Sequence, residues 1–149
     1  MLYGRKMLPQ RYFLAWHPLC STECVAKSAK KILLVEDNNE VRELLALFMK
    51  RLGYKVFEAA TGLGAIDLAS AVQPNLIMMD LRLPEMNGAE ATARLKANPS
   101  TRDIPLLVIT AYAAGIDTRR ALHAGAAEIL HKPLDLTKLP IVLRRYLSA

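Results

Sequence analysis

Five short apolar runs alternate with five segments of helical period, and this alternation restricts the fold more than any other feature of the chain. The runs are KILLV (31–35), KVFEA (55–59), NLIMM (75–79), PLLVI (105–109) and AEILH (127–131). After the first, Val41, Leu44, Leu45, Phe48 and Leu52 recur at helical spacing and predict one buried helix face, closed by Gly53. Thr61 is placed to cap a second helix carrying Ala65, Ile66, Leu68, Ala69 and Val72, which stops before Pro74. Residues 89–98 predict a third helix, ending at Pro99. A fourth lies around Asp117 to Ala124 with Gly125 at its end, and a fifth starts near Pro140. Strands and helices in strict alternation predict an α/β fold, a doubly wound five-stranded parallel sheet with helices on both faces. Nearly all-apolar strands suit such a sheet, whose central strands are buried on both sides.

Ligands of doubly wound sheets bind beyond the carboxyl ends of the strands, where the strand order reverses. The residues directly after each apolar run are therefore the candidates. They are Glu36 and Asp37 after the first, Asp80 after the third, Thr110 after the fourth and Lys132 after the fifth. Any one of these has an ordinary explanation as a loop acid, a cap or a surface lysine. Their recurrence at equivalent points of successive strands is harder to assign to chance.

Two carboxylates about 4 Å apart repel by roughly 4 kcal/mol at an effective dielectric near 20. Three of them require a counterion or must take up protons. One lysine does not neutralise the set, whereas a hard divalent cation such as Mg2+, which favours carboxylate and phosphate oxygens, does. An acidic pocket of this kind, with a lysine and a hydroxyl, suits a phosphoryl group. Asp80 is the natural nucleophile, and Lys132 with Mg2+ would stabilise charge on the transferring oxygens.

The segments KILLVEDNNEVR, LIMMDLRLPEMNG, ITAYA and LHKPL, in this order and spacing, resemble the receiver domain of two-component response regulators. The similarity runs over residues 30–149 and implies a flavodoxin-like strand order of 2-1-3-4-5. It implies that Asp37 binds Mg2+ directly and Glu36 indirectly. Asp80 would be phosphoacceptor and metal ligand, and the backbone carbonyl of Arg82 a further ligand. Thr110 would be the switch hydroxyl, small Ala111 would leave the phosphoryl group room, and Lys132 would contact that group or Asp80, ahead of a cis bond to Pro133. The implied donor is a phosphohistidine on a sensor histidine kinase or histidine phosphotransfer protein. The output would be protein contact through the fourth helix, fifth strand and fifth helix. No enzyme activity is implied beyond Mg2+-dependent self-phosphorylation and autodephosphorylation. The chain departs from the family at Ile129, where a switching aromatic is usual. The variable positions Arg82 and Tyr112 either tune phosphate lifetime or are loop surface.

Charge distribution narrows the alternatives. The net charge is +6, but residues 1–31 hold six basic residues against one acid, while residues 32–149 hold 14 basic and 13 acidic residues. A nucleic-acid partner would want a basic face on the folded body, so none is expected. Residues 1–29 read as a basic, flexible extension, with Cys20 and Cys24 as free thiols lacking a second pair for a zinc site. No apolar stretch approaches the roughly 20 residues that span a bilayer, so no membrane is expected and the location is expected to be cytoplasmic. A flavodoxin-like FMN carrier would need a phosphate loop where VEDNNE puts acids, and an aspartate-nucleophile phosphatase would need a second Asp in DLRLP. A stand-alone receiver is the reading adopted, with a fragment of a hybrid kinase or longer regulator as the alternative.

Overall fold

The computed structural model describes residues 28–148, so the expectations for residues 1–27, Cys20 and Cys24 included, lie outside the described residues. The elements follow the order β1 (Lys31–Val35), α1 (Asn39–Arg51), β2 (Lys55–Ala59), α2 (Gly62–Val72), β3 (Leu76–Asp80), α3 (Gly88–Ala97), β4 (Leu106–Thr110), α4 (Ile116–Ala124), β5 (Glu128–His131) and α5 (Leu139–Leu147). All pairings are parallel, in the order β2-β1-β3-β4-β5. Among the described residues no helix is long and apolar enough to cross a membrane.

Strand alternation divides the core into two layers. Leu33, Val35, Ile77, Met79, Leu106 and Val108 face α2, α3 and α4, meeting Ala65, Ala69, Ala91, Leu95 and Ala121. Ile32, Leu34, Leu76, Met78, Leu107 and Ile109 face α1 and α5, meeting Leu45, Met49, Leu139 and Leu143. Each such Leu, Ile or Met contributes about 1.5–3 kcal/mol by leaving water. β3 and β4 are therefore buried at all of their positions, and both end on a polar residue.

Helix starts follow their local chemistry. Asn38, Thr61 and Asn87 accept N–H bonds from Val41, Gly64 and Glu90, capping α1, α2 and α3. Pro140 sits in the first turn of α5, where its missing N–H costs nothing.

One face was misread from sequence. In α1 the buried residues are Leu45, Ala46 and Met49, whereas Val41, Leu44 and Leu52 are exposed. The helix is apolar around much of its circumference, so helical spacing fits more than one stripe. The strand surface decides which stripe is covered. Leu44 and Val41 line a groove beside the loop after β5 instead.

The segment linking β3 to α3 turns back tightly, with the Gly88 N–H bonded to the Leu81 carbonyl at 2.8 Å. A Cβ at Gly88 would run into the Asp80 carbonyl oxygen and lie 2.8 Å from the Leu81 Cα. Only glycine lets α3 begin so close to the end of β3. Gly88→Ala is expected to cost about 1–3 kcal/mol of stability in urea unfolding; an unchanged midpoint would mean that α3 can begin further from Asp80.

Candidate functional site

Strand register assembles the site as a staircase. Val35 pairs with Met79, which sets Glu36 level with Asp80; Asp80 pairs with Ile109, and Thr110 with His131. From β3 through β4 to β5 each strand thus offers its polar residue one step further along, beside the edge where order reverses between β1 and β3.

Glu36, Asp37 and Asp80 each bring a carboxylate oxygen within 4.8 Å of the others. Glu36 and Asp80 are buried, at 1% and 4% exposure, whereas Asp37 is open to solvent. The Lys132 ammonium reaches in from the end of β5, donating to Asp80 Oδ2 at 2.5 Å and to Glu36 Oε2 at 2.8 Å. Asp80 Oδ1 accepts the Arg82 N–H at 3.0 Å, and Glu36 Oε1 accepts the Asn38 N–H at 3.3 Å. The Lys132–Pro133 peptide is cis.

Electrostatics follow from this crowding. Burial pushes the Glu36 carboxyl above its ordinary range; the Lys132 bond opposes that rise and the Asp80 charge adds to it. For Lys132, burial works against the charged form, but the bonds to Asp80 and Glu36 outweigh it and hold the ammonium above the ordinary lysine value. The donor set is three carboxylates with no His or Cys, which suits Mg2+ or Ca2+ rather than a softer metal.

The other sequence candidates lie around this cluster. Thr110 is buried; its hydroxyl accepts the Tyr112 N–H at 3.0 Å, and its carbonyl accepts the Lys132 N–H at 2.9 Å. Ala111 is exposed beside it. Tyr112 and Arg82 line a cavity with Thr110, and the Arg82 guanidinium lies 4.8 Å from the Tyr112 ring centre, a cation–π contact between the loops after β3 and β4. Ile129 is apart from the carboxylates and packs against the core under α2, α3 and α4. Sequence reasoning passed over two further residues. Gly88, within the NG pair, was read only as part of a turn. Arg42 bonds the Glu36 carbonyl, and its signal was a basic residue in the first turn of α1.

The sequence profile of the response regulator receiver domain matches residues 32–144. The chain belongs to this receiver family. It is 34% identical over 119 residues to the polar-differentiation response regulator DivK of Brucella ovis, covering 80% of this chain and 97% of that protein. The receiver domain of sensor histidine kinase PA1611 from Pseudomonas aeruginosa PAO1, solved with magnesium coordinated in its active-site cleft, superposes with a TM-score of 0.76 at 33% identity. That match spans 82% of this chain and all of the other. The Vibrio cholerae chemotaxis protein CheY4 gives a TM-score of 0.76 at 26% identity, over 80% of this receiver and all of CheY4. The receiver is thus a regulatory module of two-component signalling, the class whose general function is phosphotransfer.

The raised Glu36 pKa carries a sign. The folded receiver holds that proton more tightly than the unfolded chain, so the metal-free protein loses stability as pH climbs from the ordinary glutamate value of 4.5 through the raised one. Urea unfolding in EDTA across the mildly acidic range should show this decline in wild type and a flatter profile in Glu36→Gln.

Proposed function

We propose that Asp80 is the phosphoacceptor of this receiver and that phosphorylation there switches a protein-binding face. The observation that carries the reading is the Lys132 ammonium bridging Asp80 and Glu36, beside the exposed carboxylate of Asp37. A carboxylate oxygen of Asp80 attacks phosphorus in line as the P–N bond of a phosphohistidine breaks and its electron pair returns to the imidazole. Lys132 stays on the carboxylates and offsets charge on the incoming phosphoryl oxygens. Thr110 moves its hydroxyl from the Tyr112 N–H to a phosphoryl oxygen, and Ala111 leaves that group space.

Asp37, Asp80 and the Arg82 carbonyl would hold Mg2+, with Glu36 acting indirectly. When bound, the ion supplies positive charge that offsets the carboxylates and the phosphoryl oxygens. The magnesium in the related Pseudomonas receiver supports this reading. The same residues would support self-phosphorylation from small acyl phosphates and the later loss of the group to water.

The donor is a sensor histidine kinase or histidine phosphotransfer protein, in a cytoplasmic setting. A groove of about 490 Å3, lined by Val41, Leu44, Leu45, Pro133, Leu134 and Leu136, lies beside Lys132 and offers such a partner an apolar foothold. The output face is α4, β5 and α5, where Ile116 and Ile141 are exposed. Ile129, packed against the core, repacks there in place of a swinging aromatic. We assign the receiver body to residues 30–149, with residues 1–29 as an extension. A receiver within a hybrid kinase is the second reading, favoured by the kinase origin of the Pseudomonas relative; the size of the protein in its own cells separates the two.

With Mg2+ and a small acyl-phosphate donor, the protein should gain one acid-stable, base-labile phosphoryl group. EDTA should abolish labelling, and Asp80→Asn should not label. Equal labelling of Asp80→Asn and wild type would refute the assignment.

A further inference from the structure

Arg42 stands where a helix disfavours a cation. It lies in the first turn of α1, at the positive end of the helix dipole. Its side chain is nonetheless only 15% exposed. The guanidinium folds back over the helix start, and its Nη1 donates to the backbone carbonyls of Glu36 at 2.7 Å and Asp37 at 3.4 Å. Nη2 donates to the Asn39 side-chain oxygen. Nε lies 3.8 Å from Glu58 Oε2 on β2, and Glu58 is held in turn by Lys50 at 3.0 Å.

The distances separate two roles. If Arg42 served to tie α1 to β2, its best contact would be with Glu58, yet 3.8 Å is beyond hydrogen-bond range. Its close charge-assisted bonds go instead to the Glu36 carbonyl and the Asn39 side chain, at the loop and helix start. With Nη2 anchored on Asn39, the rigid guanidinium plane holds Nη1 on the Glu36 carbonyl and near that of Asp37, a hold that a point charge on a flexible stem does not reproduce. Those peptides carry the two carboxylates that repel each other and Asp80. Rotation of those peptides would let the two side chains separate.

We propose that Arg42 is a positioning residue for the cation site. By holding the Glu36 and Asp37 carbonyls on its own side of the loop, it keeps both carboxylates gathered against Asp80 before any ion arrives. Glu58 orients the guanidinium and is secondary. The inference rests on the reading of this cluster as the Mg2+ and phosphoryl site.

The test is calorimetric titration of Mg2+ into the full chain for wild type, Arg42→Ala, Arg42→Lys and Glu58→Gln. Amide exchange at Asn38 is followed in the same proteins without metal. Arg42→Ala should bind Mg2+ about 10–100-fold more weakly, the loss typical when a group that orients a metal ligand is removed. Arg42→Lys should recover only part of that affinity, and Glu58→Gln should lose less than Arg42→Ala. The Asn38 N–H, which donates to Glu36 Oε1, should exchange faster in Arg42→Ala, a change that a role confined to metal charge would not produce. Should Arg42→Ala fail to fold, Arg42→Lys carries the comparison. Wild-type Mg2+ affinity in the Arg42 variants would overturn the proposal, as would a loss in Glu58→Gln equal to that in Arg42→Ala. A wild type that binds no Mg2+ would remove the site reading as well; a wild type that binds, with the Arg42 variants equal to it, removes this inference alone.

Discussion

Mutual repulsion of three carboxylates, restrained at the edge of an apolar sheet, is the constraint on which the rest of the structure depends. Glu36 and Asp80 are buried and Asp37 stands beside them, so the group would separate or take up protons unless cations offset it. Lys132 bonds to two of the three and reaches them from the far side of β4. One ammonium against three carboxylates leaves an excess of negative charge. That excess is the physical basis for affinity toward a divalent cation.

The sheet makes the arrangement rigid. β3 and β4 are buried at every position, so a one-residue slip in either would draw its polar end residue into the apolar sheet or pull an apolar residue out of it. Asp80 and Thr110 are the last residues of those strands and inherit that rigidity. Gly88 brings α3 against the Asp80 backbone, and Arg42 holds the loop that carries Glu36 and Asp37. The carboxylates that repel are thereby attached to parts of the chain that cannot easily yield. In the proposed function, energy withheld from local relaxation is available for binding an ion and a phosphoryl group.

Much of this was legible in the sequence because period and position carry it. Five apolar runs predicted five strands, and the polar residues at their ends were the ones that meet. Strand ends were less legible: Asp80 and Thr110 belong to their strands rather than following them, because ladder bonds to neighbouring strands set where a strand stops. The face of α1 was misjudged at Val41, Leu44 and Leu52, since an apolar surface that broad does not say which stripe the sheet will cover. Arg42 was missed because its partners are backbone carbonyls, and a carbonyl has no letter in a sequence.

The central claim is that Asp80 carries the phosphoryl group. It is tested most directly by borohydride reduction of the acyl-phosphate-treated protein, followed by peptide mapping. Hydride converts an aspartyl phosphate to homoserine, so homoserine is expected at position 80 and at no other aspartate. An unreduced Asp80, with the phosphoryl group found on His123 or His131, would contradict it.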